Sequence, residues 1–361
     1  MNILTLFNGI GGLPLACDRA GIAYNDCYYA EIDKFANKVM EKNYPNSIPL
    51  GDVTKWREWD LDWSSIGLVG AGFPCQAWSV AGQQLGDKDE RGMLFWTTLE
   101  IIAHVLKHNP KAKFLMENVK MKKDFEQYIT HHTTEALGYV EKTLINSALV
   151  SAQNRNRYYW TNFEVDQPED KGLVLVDILE YPMDKNFNLS DTSVSRFKMY
   201  DKPKGNCVGT TKLDGRIGQR DECYGADGKM GCLTATMYKQ PPQYVINESA
   251  TKDGKAYSLT ASYGGAVAWN SCEKKQRTMI PVECSNELKP NVYNGLLYRK
   301  LTPVECERLQ TLPDNWTDCI SNTQRYKSIG NGWTIDVISH ILSGITHTEK
   351  DDAYQLTSQK H

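Results

Sequence analysis

A single thiol is set apart from the other cysteines of this chain by what surrounds it. Gly72-Phe73-Pro74-Cys75-Gln76-Ala77-Trp78-Ser79 comes after the apolar run Ile66 to Gly72 and precedes a polar, glycine-containing stretch from Ala81 to Gly92. A short apolar run closed by glycine reads as a buried strand, so Cys75 falls just past a strand's carboxyl end, the edge at which open α/β sheets bind ligands. Pro74 fixes its own φ and holds Phe73 extended, which aims the next side chain out of the turn. Burial statistics alone favour an inert, apolar role for a lone cysteine, so partners must decide the matter.

Three further groups supply candidate partners. Glu117 ends an apolar segment beside Asn118, where a carboxylic acid at the same sheet edge could give or take a proton. Gln153-Asn154-Arg155-Asn156-Arg157 alternates two arginines, which on a strand would share one face and could fork onto a base carbonyl or a phosphate. Phe7-Asn8-Gly9-Ile10-Gly11-Gly12 is a glycine turn between a strand and a helix, a place where backbone approaches a nucleotide-like cofactor closely. Glu31 and Asp33, about twenty residues on, are placed to accept ribose hydroxyls, and Asp52 an adenine amino group. No lysine comes after the glycines as a triphosphate loop requires, so an adenosyl cofactor without phosphates fits best, its carboxylate drawn to a helix N-terminus.

The elements that must position these groups alternate in type. Ile3 to Phe7 reads as a strand and Leu13 to Ala20 as a helix closed by Gly21; a strand at Asp26 to Ala30 leads to a helix ending at Asn43. After the thiol strand, Leu94 to Leu106 has helical spacing, Lys113 to Met116 reads as a strand and Phe125 to Leu137 as a helix. This rhythm predicts an α/β fold, a doubly wound, mainly parallel Rossmann-like sheet, over residues 1–168. From about 170 to 298 the chain changes to short polar runs with a degenerate echo, Cys232-Leu233-Thr234-Ala235-Thr236 and Ser258-Leu259-Thr260-Ala261-Ser262, suited to an irregular β-rich domain rather than a solenoid. Thr302, Pro303 and Glu305 form a capping box at a new helix start, and a last helix over Ile335 to Leu342 succeeds Gly330-Asn331-Gly332-Trp333-Thr334. The tail from 347 to 361 is polar and read as flexible.

Composition limits the classes open to the chain. At 361 residues it suits two domains, and 41% hydrophobic with 24% charged residues is an ordinary globular balance. The first residues read as a strand rather than a signal peptide, and the 10 cysteines show no zinc spacing; both point to a cytoplasmic protein with reduced thiols and no structural metal. The net charge of -3 hides an asymmetry: residues 171–300 carry 19 Lys+Arg against 14 Asp+Glu, a balance of +5, while the remainder is at -8. A basic nucleic-acid-facing region beside an acidic catalytic one has this distribution.

In order along the chain, these pieces resemble the DNA cytosine-5 methyltransferases that use S-adenosylmethionine. The likeness covers residues 1 to about 165 and 299 to about 345. It rests on the Phe7/Gly9/Gly11 turn, Glu31, Gly51-Asp52-Val53, Pro74-Cys75-Gln76, Arg91-Gly92-Met93-Leu94-Phe95, Glu117-Asn118-Val119, the Gln153/Arg155/Arg157 motif, Arg299 to Gln310, and Gly330-Asn331-Gly332. The resemblance implies Cys75 as the nucleophile on cytosine C6, Glu117 as the partner of N3, and Arg157 with Arg155 on the base O2. It implies cofactor contacts from Phe7, Gly9, Gly11, Gly12, Glu31, Ile32, Asp52, Val53, Pro74, Leu94, Asn331 and Trp333. Double-stranded DNA is the implied partner, held by Gln76, Ser79, Gln83 and Arg91 around a flipped base, with Thr234 and Thr260 as readout candidates in the recognition domain. The expected division is a catalytic domain over 1–168, target recognition over 169–298, a scaffold helix and connection over 299–328 and a returning helix over 329–346. A monomer acting beside a cognate restriction endonuclease, in a bacterial or phage-infected cell, fits this reading. A tRNA methyltransferase of the same fold is the nearest alternative, against which the large variable region weighs. An inactive DNA-binding homologue is weighed down by the intact Cys75, Glu117 and Arg157 set, and a nucleotide-dependent oxidoreductase leaves Pro74-Cys75-Gln76 without a role.

Overall fold

The computed structural model of the chain describes residues 1–74, 90–180, 198–204, 207–210, 222–225, 244–245, 279–280, 292–293, 296–297 and 299–345. They belong to two compact units. The first comprises Met1–Ile145, Asn156–Pro168 and the chain from Ile335 onward; the second comprises Asn146–Arg155 and Glu169–Thr334.

The first unit is a sheet laid down by the alternation seen in the sequence. Its strands are β1 (Asn2–Leu6), β2 (Cys27–Ala30), β3 (Ile48–Pro49), β4 (Ile66–Ala71), β5 (Lys113–Val119), β6 (Glu141–Asn146) and β7 (Asn156–Thr161), and its helices α1 (Gly12–Ala20), α2 (Lys34–Asn43), α3 (Glu90–His108) and α4 (Lys123–Leu137). The spatial order is β3-β2-β1-β4-β5-β7-β6. Strands β3, β2, β1, β4 and β5 run parallel, and β7 runs antiparallel to β5. The order reverses between β1 and β4, which places the ends of those two strands at the switch point where such sheets bind ligands. All five residues of β1 are buried, and so are the last four of β4, as expected of strands covered on both faces. Gly70 allows α1 to lie close over β4, since a methyl group there would sit 2.9 Å from the Leu13 side chain. Phe95, Phe114 and Trp160 are the largest of the fully buried side chains and fill the space between the sheet and α3 and α4. Trp160 also satisfies its indole N–H by donating to Thr130 Oγ1 of α4 at 2.9 Å. No helix among the described residues is long and apolar enough to cross a membrane.

In the second unit a four-stranded sheet has the order β11-β10-β9-β8, with β8 at Lys198–Lys204, β9 at Cys207–Thr210, β10 at Glu222–Gly225 and β11 at Tyr244–Val245. Helix α5 (Pro303–Leu309) begins with the expected capping box: Thr302 Oγ1 accepts the N–H of Glu305 at 3.1 Å, and Glu305 accepts the N–H of Thr302 at 2.8 Å. Buried charge organises the loop and helix after α5. Glu307, fully buried, accepts N–H groups from Asn315 and Thr317, each at 2.8 Å, together with the Thr317 hydroxyl and Arg325 Nη2 at 2.9 Å. Arg325 lies on α6 (Asn322–Asn331), a helix that the sequence pattern does not announce because its polar residues show no apolar stripe. A further helix, α7, spans 335–345 in the first unit.

Candidate active site

Glu117 and Arg157 meet because of strand register. In the antiparallel β5–β7 ladder Val119 faces Arg157 and Glu117 faces Tyr159, so Glu117 and Arg157 are diagonal neighbours on one face of the sheet. Long side chains bridge such a diagonal, and Arg157 Nε lies 2.9 Å from Glu117 Oε1 with both side chains nearly buried. Arg157 Nη1 also donates to its neighbour's carbonyl, Asn156 O, at 2.9 Å, which fixes the plane of the guanidinium. A carboxylate held this way has one oxygen directed by a permanent cation, a suitable arrangement for a group that must share a proton with a substrate nitrogen.

Asn118, on the opposite face, ties this strand to the segment that leads into the cysteine. Its Nδ2 donates to Phe73 O at 3.1 Å, and its Oδ1 accepts the N–H of Val119 at 2.8 Å. Phe73 is buried against Phe95, with ring centroids 5.4 Å apart, and Pro74 is half-buried. The backbone immediately before Cys75 is therefore anchored both to β5 and to α3. Sequence pattern assigns Asn118 no such task, because an amide that bonds to backbone across a sheet leaves no periodic signal. Cys75, Gln76, Ser79 and Gln83 lie outside the described residues, as do Thr234 and Thr260; Arg91 is on the first turn of α3 and Leu94, one turn on, is half-buried.

The carboxyl end of β1 carries the glycine turn. Phe7, Gly9 and Gly11 have φ of 56°, 58° and 84°, three left-handed residues in five, and Gly12 starts α1. Glu31 organises the turn: Oε2 accepts the N–H of Gly9 at 2.8 Å, and Oε1 accepts those of Ile32 and Asp33 at 2.9 and 2.8 Å. These bonds leave acceptor capacity on Oε2 at the rim of the turn, fit for a ligand hydroxyl. Asp33 caps α2 through Oδ1, which accepts the N–H groups of Phe35 and Ala36 at 2.8 and 3.4 Å. Next to Glu31, Ile32 is 77% exposed, an apolar surface at the lip of a polar site. Asp52 bonds Thr54 N and Oγ1 through Oδ1 alone, both at 2.9 Å, while Val53 is buried beneath it. The exposed aliphatic Ile32 beside Glu31, the acceptor capacity of Glu31 and Asp52, and a turn without a phosphate-binding lysine are a donor set that fits an adenosyl group.

Arg155 comes one residue before β7. It belongs to the second unit, is 4% exposed, and donates to Gly332 O at 2.8 Å and Gly330 O at 3.4 Å. In the same unit Asn331 is exposed and Trp333 half-buried.

Cys17, Cys27 and Cys306 are buried, and burial pushes all three thiols up, that of Cys27 to about 12. None is disposed to be a thiolate nucleophile at neutral pH. His131, His132 and Glu135 bring their donor atoms within 4.8 Å of one another on α4, where they form surface ion pairs.

A mainly parallel sheet with a glycine turn after β1, a carboxylate at the end of β2 and an Arg–Glu pair at the far strands defines a nucleotide-cofactor-binding α/β enzyme of the methyltransferase type. Residues 1–347 match the model of the C-5 cytosine-specific DNA methylases, and the chain belongs to that family: it is a DNA cytosine C5 methyltransferase. It is 30% identical over 358 residues to the type II methyltransferase M1.ScrFI of Lactococcus lactis subsp. cremoris, covering 94% of this chain and 76% of that one. It is also 30% identical to the type II methyltransferase M.SsoII of Shigella sonnei, over 96% of this chain and 80% of the relative. Among solved structures, the Entamoeba histolytica methyltransferase EhMeth shares the fold with a TM-score of 0.64 at 15% identity, covering 96% of this chain and 98% of the other.

Proposed function

We propose that the chain methylates a flipped cytosine in double-stranded DNA through a covalent bond between Cys75 and C6, with S-adenosylmethionine as the methyl donor. The observation that carries this reading is the Glu117–Arg157 pair at 2.9 Å, in the same unit as the anchored Phe73-Pro74 segment that leads to Cys75. Cytosine C5 is too electron-poor to attack a methyl sulfonium until C6 gains a nucleophile. Cys75 therefore adds its sulfur to C6 as Glu117 gives a proton to N3, leaving C5 enamine-like. Arg157, charged throughout, holds the base O2 and draws electron density away from the ring as the thiolate adds. When bound, S-adenosylmethionine supplies an electrophilic methyl group for C5. Glu31 would hold its ribose, Ile32 and Val53 its adenine, Asp52 the adenine amino group, and the turn from Phe7 to Gly12 its amino-acid end, with Pro74 and Leu94 as further contacts. After transfer a base takes the C5 proton, the C5–H pair of electrons forms the C5–C6 double bond as the thiolate leaves, and N3 returns its proton to Glu117.

Residues 169–298, the more basic part, are proposed to recognise the target, their Lys and Arg on phosphates and Thr234 and Thr260 among the readers of bases. Gln76, Ser79, Gln83 and Arg91 are proposed to close on the extruded nucleotide and the stack it leaves. The enzyme would act as a cytoplasmic monomer without a metal, with a restriction endonuclease of the same specificity as its natural counterpart.

DNA carrying 5-fluorocytosine at the target tests the chemistry, because no C5 proton can leave after methyl transfer. The wild type should trap a protein–DNA adduct stable to denaturant, and Cys75→Ser should bind DNA without forming it. A noncovalent methylated product would refute the nucleophile.

A further inference from the structure

We propose that His131, His132 and Glu135 form a binding site for one divalent transition-metal ion of the zinc class, on the exposed side of α4 and apart from the groups assigned to methyl transfer. The site does not depend on the functional reading above, whose chemistry runs without a metal. Its three ligands are brought together by spacing on one helix. Glu135 comes four residues after His131 and three after His132, the two separations that make helical side chains neighbours over one turn. Helical side chains also lean toward the N-terminus, so the carboxylate reaches back to both imidazoles.

The contacts converge on one atom. Glu135 Oε2 lies 3.3 Å from His131 Nε2 and 3.0 Å from His132 Nδ1, and the three donor atoms all fall within 4.8 Å of one another. Ligand atoms each about 2.1 Å from a zinc ion stand about 3.0 to 3.4 Å apart when the angle at the metal is between a right angle and the tetrahedral one. Both nitrogen–oxygen separations already have that size. An ion seated among the three atoms would exchange two contacts for three coordinate bonds, with small rotations of the exposed side chains closing the third separation.

One ligand is fixed and two are adjustable. The His132 ring packs edge-on against Tyr128, one turn earlier on α4, with centroids 4.4 Å apart, and against Trp96 of α3 at 4.8 Å. That packing leaves its side chain 26% exposed, whereas those of His131 and Glu135 are 64% and 58% exposed. An anchored imidazole lowers the cost of ordering the site, and the open side admits the water that completes the coordination of a metal with three protein ligands. Two imidazoles and one carboxylate suit zinc, nickel or copper(II) better than magnesium or calcium, which take oxygen ligands. A second histidine pair, on α3, lacks what this set has. His104 and His108 are also four residues apart, with ring centroids at 4.4 Å, yet His108 Nδ1 is bonded to His104 O at 2.8 Å and, among the described residues, no carboxylate or thiol completes a set there.

The experiment titrates zinc chloride calorimetrically into the full chain, freed of metal, as wild type, His131→Ala, Glu135→Gln and His108→Ala, and reads the urea midpoint of each with and without zinc. The wild type should bind one ion at a site that His131→Ala and Glu135→Gln each weaken about tenfold or more, while His108→Ala stays within about twofold. Zinc bound only by the folded state should raise the midpoint of the wild type and of His108→Ala, and should leave that of the other two unshifted. Both ligand substitutions fall on exposed side chains, and Glu135→Gln, nearly the same shape, carries the test if the alanine variant fails to fold. The proposal is overturned if zinc binds all four proteins equally, as it would through thiols elsewhere in the chain, or if the wild type binds none. It is also overturned if His108→Ala weakens binding as much as His131→Ala does, or if magnesium in about thousandfold excess displaces the zinc.

Discussion

Two buried ion pairs of the same length do different work in this molecule. Arg157–Glu117 in the first unit and Arg325–Glu307 in the second are both 2.9 Å long and almost wholly removed from solvent. Their carboxylates differ in what else they are asked to hold. Glu307 accepts two backbone N–H groups and a hydroxyl from the loop at 315–317, so it acts as the knot of a local fold. Glu117 sits near the carboxyl end of β5, across a ladder from its arginine, where parallel strands deliver their ends to one edge. An ion pair by itself is weak evidence of function; position on the sheet is what makes Glu117 the candidate for chemistry.

That contrast can be broken by substitution. The largest effect is expected from Arg157→Ala, which removes the cation beside the proposed proton donor: single-turnover methyl transfer should fall about 1,000-fold, roughly 4 kcal/mol of barrier, with the protein still folded. Arg325→Ala leaves a carboxylate buried without its cation and should cost about 3–5 kcal/mol of stability, read as a lowered midpoint in urea. Thr302→Ala removes the cap of α5 and should cost about 1 kcal/mol by the same measurement. The smallest effect belongs to Asp314, whose carboxyl the Arg308 guanidinium holds below its usual range through bonds of 2.8 and 2.6 Å in the open. Its folded pKa is lowered, so its contribution is complete above the unfolded carboxylate pKa and fades as pH falls through the folded value. Asp314→Asn should change stability by less than about 1 kcal/mol at neutral pH and flatten the acid limb of the stability profile.

Much of the first unit is legible in the sequence. Strands β1 and β4 are short apolar runs bounded by glycine, α1 ends at the left-handed Gly21, and Thr302, Pro303 and Glu305 spell the capping box of α5 in the second. What escapes has a physical reason in each case. Arg155, expected beside Arg157 on a base, donates to Gly330 O and Gly332 O, backbone far along the chain that no spacing announces. Helix α6 has no apolar stripe to announce it, since its inward residues include Arg325 and Ser328. Asp33 reads as a ribose ligand and also caps α2, a task that depends on which N–H groups lie above it. The reversed direction of β7 is likewise silent in sequence, because alternation does not tell a strand which way to run.

The difference between the two ion pairs is tested most directly by a crossed measurement on Glu117→Gln and Glu307→Gln, in which each variant is assayed for single-turnover methyl transfer and for its midpoint in urea. Glu117→Gln is expected to lose about 100-fold or more in rate, with a smaller drop in midpoint than Glu307→Gln. Glu307→Gln is expected to lose stability while the folded fraction methylates at close to the wild-type rate. Glu117→Gln methylating at the wild-type rate would contradict the assignment of this pair to the chemistry.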